Sequence, residues 1–338
     1  MDKYKQVIKR FLPALRDVVG IDFGSSATKA VRIKADASGA MTVVAADILP
    51  PCPMPAEGDE ASPAISVPRS LAAWTAALAF TSRKAVIKLV TEPKGASYGQ
   101  NSAPELLGLP KDHGLRIGLQ RFENGEENSV LFVGVPEEEV ARLPRLMPSG
   151  KPMAASAELA GLAALSCYDY IYGAEATEGC DLVIDFGESV TTLGLFVNRQ
   201  PLVLRQFLEG YTTVQKAVER DFQTDENTAR DIILSGQVDI STTLHSSLGG
   251  ILRQTGIAVD FTERRTGAHL KRLFVSGGFA RNPGLRSEIK TALSTEPIVV
   301  DPWKRMTVRE GALSKAASEA GASFAAATAA AIACLEEK

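Results

Sequence analysis

A ten-residue segment centred on Asp-Phe-Gly occurs twice in this 338-residue chain, and the two copies lie about half a chain apart. The first copy, residues 20–29, reads GIDFGSSATK, and the second copy, residues 183–192, reads VIDFGESVTT. Each copy joins an apolar run to a stretch of alternating residues, which is the pattern of a strand, a turn and a second strand. The duplication predicts two halves built alike, with their turns facing each other across a cleft.

The two turns have the composition of phosphate-binding loops. Gly24 and Gly187 let backbone N–H groups approach an anion that a Cβ would crowd, and small hydroxyl side chains add donors at the same surface. Asp22 and Asp185 share the negative charge of a phosphate, so we expect them to face a cation, and Mg²⁺ suits a site with few carboxylates. Either copy alone could be an ordinary hairpin turn. The duplication favours the phosphate loops.

A third glycine-rich turn follows a predicted strand at residues 274–276. The strand runs into Gly277 and Gly278, where a flat ring could approach the bare backbone. Asn282 then predicts a helix N-cap, and Pro283 suits the first helical position. Taken alone, a glycine pair is more often a structural turn than a ligand site.

Hydrophobic periodicity assigns the other elements. Leu71, Trp74 and Leu78 recur near helical spacing and predict a helix that begins at Ser70. The irregular composition of residues 94–125 indicates a small, loosely built insertion. The Ala-rich run 321–335 is shorter than the roughly 20 apolar residues that a membrane span needs, so it predicts a buried helix. Further helices are predicted over residues 154–165, 212–222, 225–234 and 244–255.

Composition restricts the classes of function. A formal net charge of -3 argues against a broad nucleic-acid-binding face. The four cysteines are scattered without a Cys-x-x-Cys pair, so neither a zinc site nor a disulfide framework is predicted, and a reducing cytoplasm is expected. The basic leader at residues 1–15 lacks a signal-peptide core. It is interpreted as solvated, with a short amphipathic foot on a membrane surface as the alternative.

The order of these elements resembles that of the actin, sugar-kinase and chaperone superfamily. Within it the chain is most similar to PilM-like proteins, the actin-like proteins of type IV pilus assembly, and more distantly to FtsA-like cell-division proteins. The resemblance covers nearly the whole chain. It is carried by residues 20–26 with Lys29 and Ala30, residues 185–187 with 189–193, Gly277 and Gly278 with residues 282–285, and residues 301–304.

This resemblance implies an α/β, actin-like fold, which is a duplicated ribonuclease H-like architecture. Two lobes would surround a nucleotide cleft, with a reduced inserted subdomain. The expected divisions are a basic leader at 1–15, the first lobe at 16–90, the inserted subdomain at about 91–145, the return helix of the first lobe at 146–178, the second lobe at 179–212, its helical subdomain at 213–267, and the second lobe with the C-terminal helix at 268–338.

The resemblance also implies a site for ATP and Mg²⁺. Glu158, on the expected helix between the halves, stands where some actin relatives orient the attacking water, and a solvated or capping glutamate is the alternative. Asp22 and Asp185 would face the metal. The nucleotide-binding residues implied by position are Gly24, Ser25, Ser26 and Lys29 at the β- and γ-phosphates, Gly187, Ser189, Thr191 and Thr192 on the opposing loop, and Gly277, Gly278 and Phe279 beside the adenine and ribose.

The implied function is an ATP-binding cytoplasmic scaffold at the inner face of the membrane. Its partner would be the cytoplasmic N-terminal tail of an inner-membrane pilus assembly protein. At most slow ATP hydrolysis is expected, because Glu188 stands where relatives usually carry a small residue and a carboxylate repels phosphate. A small-molecule kinase on the same fold and an adaptor that has lost nucleotide binding stay open as alternatives. Head-to-tail self-association is also open.

Overall fold

The computed structural model describes residues 16–52, 64–93, 95–110, 114–123, 128–175 and 178–336. The basic leader at residues 1–15 and residues 53–63 of a proline-rich stretch lie outside these ranges. Within them the chain forms three sheets, two of which are repeats of one topology.

The first sheet is built around β1 (Asp17–Phe23), which ends at the first Asp-Phe-Gly turn. β1 pairs antiparallel with β2 (Thr28–Ala35) and parallel with β4 (Thr75–Phe80). The six strands lie in the order β14-β3-β2-β1-β4-β8. The remaining strands are β3 (Met41–Leu49), β8 (Met153–Leu159) and β14 (Thr307–Val308).

The second sheet repeats this plan around β9 (Cys180–Phe186), which ends at the second Asp-Phe-Gly turn. Its order is β11-β10-β9-β12-β13, which corresponds strand for strand to β3-β2-β1-β4-β8 of the first sheet. The directions also correspond, with two antiparallel pairs followed by two parallel pairs. The predicted duplication is therefore confirmed. The other strands are β10 (Thr191–Val197), β11 (Gln200–Phe207), β12 (Leu270–Ser276) and β13 (Pro297–Val299).

Two helices lie between the sheets and join the lobes. The Ala-rich helix α9 (Ala325–Glu336) packs on β1, and α3 (Ala160–Tyr172) packs on α9 and on the second sheet. The small side chains of α9 allow its backbone to lie close to β1. A Cβ at Gly20 of β1 would stand 1.8 Å from the carbonyl oxygen of Ala327. The prediction of a buried C-terminal helix is correct. No helix among the described residues is both long and apolar enough to cross a membrane.

The insertion between β4 and β8 contains a three-stranded antiparallel sheet in the order β5-β7-β6. It has more regular structure than the composition of residues 94–125 indicates, because β6 pairs along its whole length with β7. Phe132 of β7 is fully buried and forms a small core with Val130 and Ala103. The elements are β5 (Val86–Glu92), α1 (Ala103–Leu107), β6 (Leu115–Phe122), β7 (Asn128–Pro136) and α2 (Glu137–Arg142).

The outer face of the second sheet is covered by helices. They bury an apolar cluster against β9, β10 and β12 that includes Ile184, Leu193 and Val275. The helices are α4 (Tyr211–Phe222), α5 (Glu226–Ser235), α6 (Ser241–Thr266) and α7 (Pro283–Leu293), and α8 (Lys315–Glu319) follows on the first lobe beside β3. Asn282 caps α7 by accepting a hydrogen bond from the backbone N–H of Leu285, as its sequence predicts.

Two predicted helices are wrong. The helix expected from Ser70 is a turn followed by β4, whose six residues are all buried, so the strand shows no alternation to distinguish it from a buried helix. The helix expected over residues 154–165 is β8 followed by the start of α3. Parallel pairing with β4 overrides the helical propensity of the alanines in β8.

Candidate functional site

The two Asp-Phe-Gly turns have the same backbone register. In the first hairpin Asp22 pairs with Lys29, and in the second Asp185 pairs with Thr192. Both turns need glycine, because a Cβ at Gly24 would lie 2.7 Å from the carbonyl oxygen of Ala27, and one at Gly187 would lie 2.7 Å from that of Val190. Each turn thus brings its backbone close to the opening between the lobes without a side chain in the way.

A cavity of about 230 Å³ lies between the lobes where these turns meet. It collects most of the residues that the sequence singles out. Those that line it are Asp22, Gly24, Ser25, Ser26 and Lys29 from the first hairpin, Asp185, Gly187 and Thr192 from the second, and Gly277, Gly278 and Phe279 from the third turn.

Ser189 and Thr191 do not line this cavity. Thr191 is fully buried, and its hydroxyl donates a hydrogen bond to the carbonyl oxygen of Glu209 at 2.8 Å. Ser189 instead offers its carbonyl oxygen to the guanidinium of Arg83 at 2.9 Å, a contact between the lobes. The period-two alternation of β10 turns Thr192 toward the cavity, and neighbouring residues of a strand point to opposite faces.

Glu158 lies elsewhere as well. It belongs to the end of β8 and not to a helix, and it lines a separate groove. A role in orienting water at the cavity between the lobes therefore has no geometric support from this position.

Burial sets the electrostatics of the two aspartates. It raises the pKa of Asp185 to about 7, against a hydrogen bond from the hydroxyl of Ser276 at 2.8 Å, and the charge of Asp22 adds to the rise. Burial also raises the pKa of Asp22, while Lys29 opposes the rise. The oxygen Oδ1 of Asp22 is buried and has no hydrogen-bond partner among the residues that the structure describes. A cation at this place would satisfy that oxygen and ease the repulsion between the carboxylates.

The donor set suits Mg²⁺ among metals. Among the described residues no three or more His, Cys, Asp or Glu side chains form a group that could hold an ion. Mg²⁺ needs no such cage, because it keeps several waters and takes one or two carboxylates together with phosphate oxygens. Asp22 and Asp185 are the residues that would hold it.

Glu188 joins the two hairpins across the cleft. Its Oε2 accepts a hydrogen bond from the hydroxyl of Ser26 at 3.0 Å, and its Oε1 lies 3.5 Å from the hydroxyl of Thr212. Glu188 is among the residues that line the cavity.

The third turn reaches the second loop through a left-handed glycine. Gly277 has a φ of 92°, and a Cβ there would lie 2.1 Å from the carbonyl oxygen of Phe186. Gly278, by contrast, has open space where its Cβ would stand, and it lines the cavity. The ring of Phe279 meets that of Tyr211 edge to face at 5.4 Å. The bare backbone of Gly278 is thus the surface that a flat ring could approach.

Sequence reasoning missed several residues around this cavity. Tyr211 and Arg230 line it from α4 and α5, and Ser276 bonds Asp185 from β12. The sequence places Ser276 in the strand that leads to the glycine pair, but it does not predict the hydrogen bond to Asp185. Tyr211 and Arg230 are ordinary helical residues in sequence, and only the packing of α4 and α5 brings them to the site.

A larger groove, with a volume of about 1110 Å³, lies between the inserted sheet, α3, the β10–β11 hairpin and α9. Apolar residues such as Ile117, Leu131 and Leu165 line it. Its rim carries an ion pair between Arg199 and Asp169 at 2.9 Å. An apolar floor with a charged rim is typical of a surface that binds a peptide or a small ligand.

The cavity and the groove share a wall. Phe80 and Leu159, which end the neighbouring strands β4 and β8, line both spaces together with Leu162 of α3. A ligand that moves these side chains on one side therefore changes the shape of the other.

Two repeated sheets around a cleft, with a glycine-rich turn from each lobe at its mouth, define an actin-like fold, as the sequence predicts. Comparison with protein-family models and with curated proteins finds no match to the sequence. Among solved structures, a chain of the PilM-PilN type IV pilus biogenesis complex is similar, with a TM-score of 0.77 and 19% identity over 96% of this chain and 100% of that chain. This likeness is one of fold.

More distant similarities also occur. A Bacteroides thetaiotaomicron protein with an actin-like ATPase fold and unknown function has a TM-score of 0.46 and 8% identity over 86% of this chain and 92% of that chain. Ta0583, an archaeal actin homologue, has a TM-score of 0.45 and 12% identity over 95% of this chain and 100% of that chain.

Proposed function

We propose that this protein is an ATP-binding, PilM-like scaffold in the cytoplasm. In this proposal it recruits the N-terminal tail of an inner-membrane protein of a type IV pilus or a related assembly system. The observation that carries the nucleotide part is the cavity lined jointly by two glycine turns, two buried aspartates and a glycine pair. The similarity of fold to a chain of the PilM-PilN complex supports the partner part.

The proposed ligand is Mg-ATP. Ser25, Ser26 and Lys29 would bind its phosphates, since hydroxyls and an ammonium are donors suited to phosphate oxygens. Asp22 and Asp185 would hold Mg²⁺, which neutralises phosphate charge when bound. Gly278 would border the adenine. Hydrolysis is not part of the proposal, because Asp22 and Asp185 are assigned to Mg²⁺ and Glu188 already accepts a hydrogen bond from Ser26.

Thermal unfolding with and without millimolar Mg-ATP tests nucleotide binding. A ligand that binds only the folded state at about 100 times its Kd adds about 2.7 kcal/mol to the free energy of unfolding, so the midpoint should rise by several degrees. Gly278→Val should abolish the rise, because its side chain would fill the space proposed for the ring. The unliganded midpoint should not change, since among the described residues no atom other than those of its chain neighbours lies within 4 Å of that Cβ.

Gly99→Val is the matched control, because Gly99 is also open at its Cβ and lies off the cavity. Its Mg-ATP response should equal that of the wild type. Absence of a rise in the wild type would contradict the proposal and favour an adaptor that has lost nucleotide binding, for which Glu188 in the cleft is the supporting observation.

The proposed partner site is the large groove. An extended peptide with apolar side chains fits its apolar lining. The three side chains shared with the cavity offer a physical route by which nucleotide and peptide could alter each other's affinity.

Titration with N-terminal cytoplasmic peptides of inner-membrane pilus assembly proteins from the same organism tests this site. Leu119→Glu should weaken binding of a peptide that the wild type holds, because Leu119 of β6 lines the groove and is 37% exposed. Leu208→Glu makes the same change at a residue that is 49% exposed and off the groove, and it should have no effect. Equal losses in the two variants would contradict the proposed location.

A further inference from the structure

Glu188 accepts a hydrogen bond from a hydroxyl group that a bound phosphate would need as a donor. Ser26 belongs to the first hairpin and lines the cavity, but its hydroxyl already donates to the Glu188 carboxylate at 3.0 Å. Thr212, at the start of α4, approaches the other carboxylate oxygen and donates its backbone N–H to the carbonyl oxygen of Glu188 at 2.9 Å. The carboxylate is therefore positioned from both lobes, as an anion between two phosphate loops.

The two hairpins differ in the residue that follows the turn glycine. In the common register, Ser25 holds the position that Glu188 holds in the second copy, one residue after the turn glycine. A serine offers a donor there, whereas an ionised glutamate is an acceptor only. The exchange replaces a group that attracts phosphate with one that repels it.

Competition follows from this geometry. A phosphate group that bonds to Ser26 must displace the carboxylate, and it then lies close to a second negative charge. Each added phosphate group brings more negative charge to the loops. The repulsion therefore weighs most on the terminal phosphate of a triphosphate.

On the basis of the proposed nucleotide function, we infer that Glu188 determines nucleotide specificity by disfavouring the terminal phosphate, so that the wild-type protein binds nucleoside diphosphate at least as tightly as triphosphate. Ser26 serves as the anchor that keeps the carboxylate in the cleft. In the protein without nucleotide, the hydrogen bond from Ser26 to Glu188 links the two hairpins.

The test compares binding of ADP and of a nonhydrolysable ATP analogue, each with Mg²⁺, by isothermal titration calorimetry. Glu188→Gln keeps the shape and an acceptor for Ser26 but removes the charge, and Glu188→Ser installs the residue of the first copy. Glu209→Gln is the matched control, since Glu209 is an exposed glutamate of the same lobe and off the cavity lining.

Both Glu188 variants should raise the affinity for the ATP analogue relative to ADP on the order of tenfold, from the removal of one charge in a partly solvated site. The control should keep the wild-type ratio. An unchanged ratio, or a lower affinity of the Glu188 variants for the ATP analogue, would overturn the inference while leaving nucleotide binding intact. Binding of neither nucleotide by any variant would instead overturn the proposed function.

Discussion

The two Asp-Phe-Gly hairpins have the same backbone pairing but carry different charged side chains. Asp22 faces Lys29 across the first hairpin, whereas the equivalent Asp185 faces Thr192 and is bonded by Ser276 of β12. The first turn offers serines and an ammonium, and the second presents Glu188. Strand pairing preserves the turn geometry with any compatible side chains, so the two copies can carry different chemistry on one frame.

The same comparison extends to the helix behind the sheet. Gly20 in β1 and Val183 in β9 are equivalent positions, and a Cβ at Gly20 would meet the backbone of α9. Val183 packs instead in the core that joins the lobes, near Phe274 and Phe196. The duplication thus keeps the strand order, while the glycine of one copy and the valine of the other meet different neighbours.

The largest effect is expected from giving the first copy the valine of the second. Gly20→Val should reduce the free energy of unfolding by more than about 4 kcal/mol, because its Cβ would overlap the Ala327 carbonyl group and force α9 away from β1. Urea denaturation measures the loss. Gly256→Ala in α6, where a Cβ meets nothing within 4 Å, is the control and should be neutral or slightly stabilising. A stable Gly20→Val protein would show that the close contact is unimportant.

The next effect depends on pH. The folded pKa of Asp185 is raised from 3.8 to about 7, so the folded state binds its proton more tightly than the unfolded chain does. Stability should therefore fall as pH rises from about 4 to about 7 and level off above that, by at most about 4 kcal/mol for this group.

Urea denaturation of the wild type and of Asp185→Asn across that pH range isolates the contribution of Asp185 to the free energy of unfolding. Asparagine keeps an acceptor for Ser276 but does not titrate. The difference between the two should change with pH. Asp22→Asn should also change the pH dependence, because burial raises the pKa of Asp22 as well. Parallel curves for the wild type and Asp185→Asn would contradict the raised pKa of Asp185 in the folded state.

A smaller effect is expected from removing the cation that distinguishes the first hairpin. Lys29→Thr installs the equivalent residue of the second copy, and it should weaken Mg-ATP binding by about 10- to 100-fold through loss of a charge-assisted bond. Lys34→Thr makes the same change on the same strand, where Lys34 lies 3.5 Å from Asp17 and off the cavity. Calorimetry should find that Lys34→Thr binds Mg-ATP with the affinity of the wild type. Equal losses of affinity in the two variants would contradict the role proposed for Lys29.

The smallest effect compares two serines in equivalent positions. Ser26→Ala should lower the unfolding free energy of the nucleotide-free protein by about 1 kcal/mol, because it removes the hydrogen bond to Glu188. Ser189→Ala should change it by less than about 0.5 kcal/mol, since the Ser189 contact across the cleft uses its backbone carbonyl. Similar losses in urea denaturation would mean that Glu188 does not bridge the hairpins in solution.

The duplicated fold could be predicted because its evidence is local and occurs twice. The patterns around Asp22 and Asp185 specify strand, turn and strand within ten residues, and the cap at Asn282 is equally local. Helices are predicted where β4 and β8 lie, from the spacing of Leu71, Trp74 and Leu78 and from the alanines of residues 154–165, and neither strand shows alternation. One is buried on both faces, and the other is an alanine-rich edge strand whose state depends on pairing with the first.

The residues of the candidate site also fall into those that local sequence predicts and those that depend on tertiary packing. Residues at the turns, such as Gly24, Ser26 and Gly187, could be recognised because backbone geometry restricts them to the mouth of the cleft. Tyr211 and Arg230 reach it from helices whose placement depends on long-range packing. Thr191 carries the right chemical group, but its hydroxyl is committed to the Glu209 carbonyl, which no local pattern reports.

By itself, the sequence determined that two similar halves present glycine turns and aspartates to each other, because turn chemistry and strand alternation act over a few residues. Only the tertiary structure decided which side chains occupy the cleft and which are used elsewhere. That assignment depends on the approach of segments far apart in the chain, which places Ser26 against Glu188 and sends Glu158 to the separate groove.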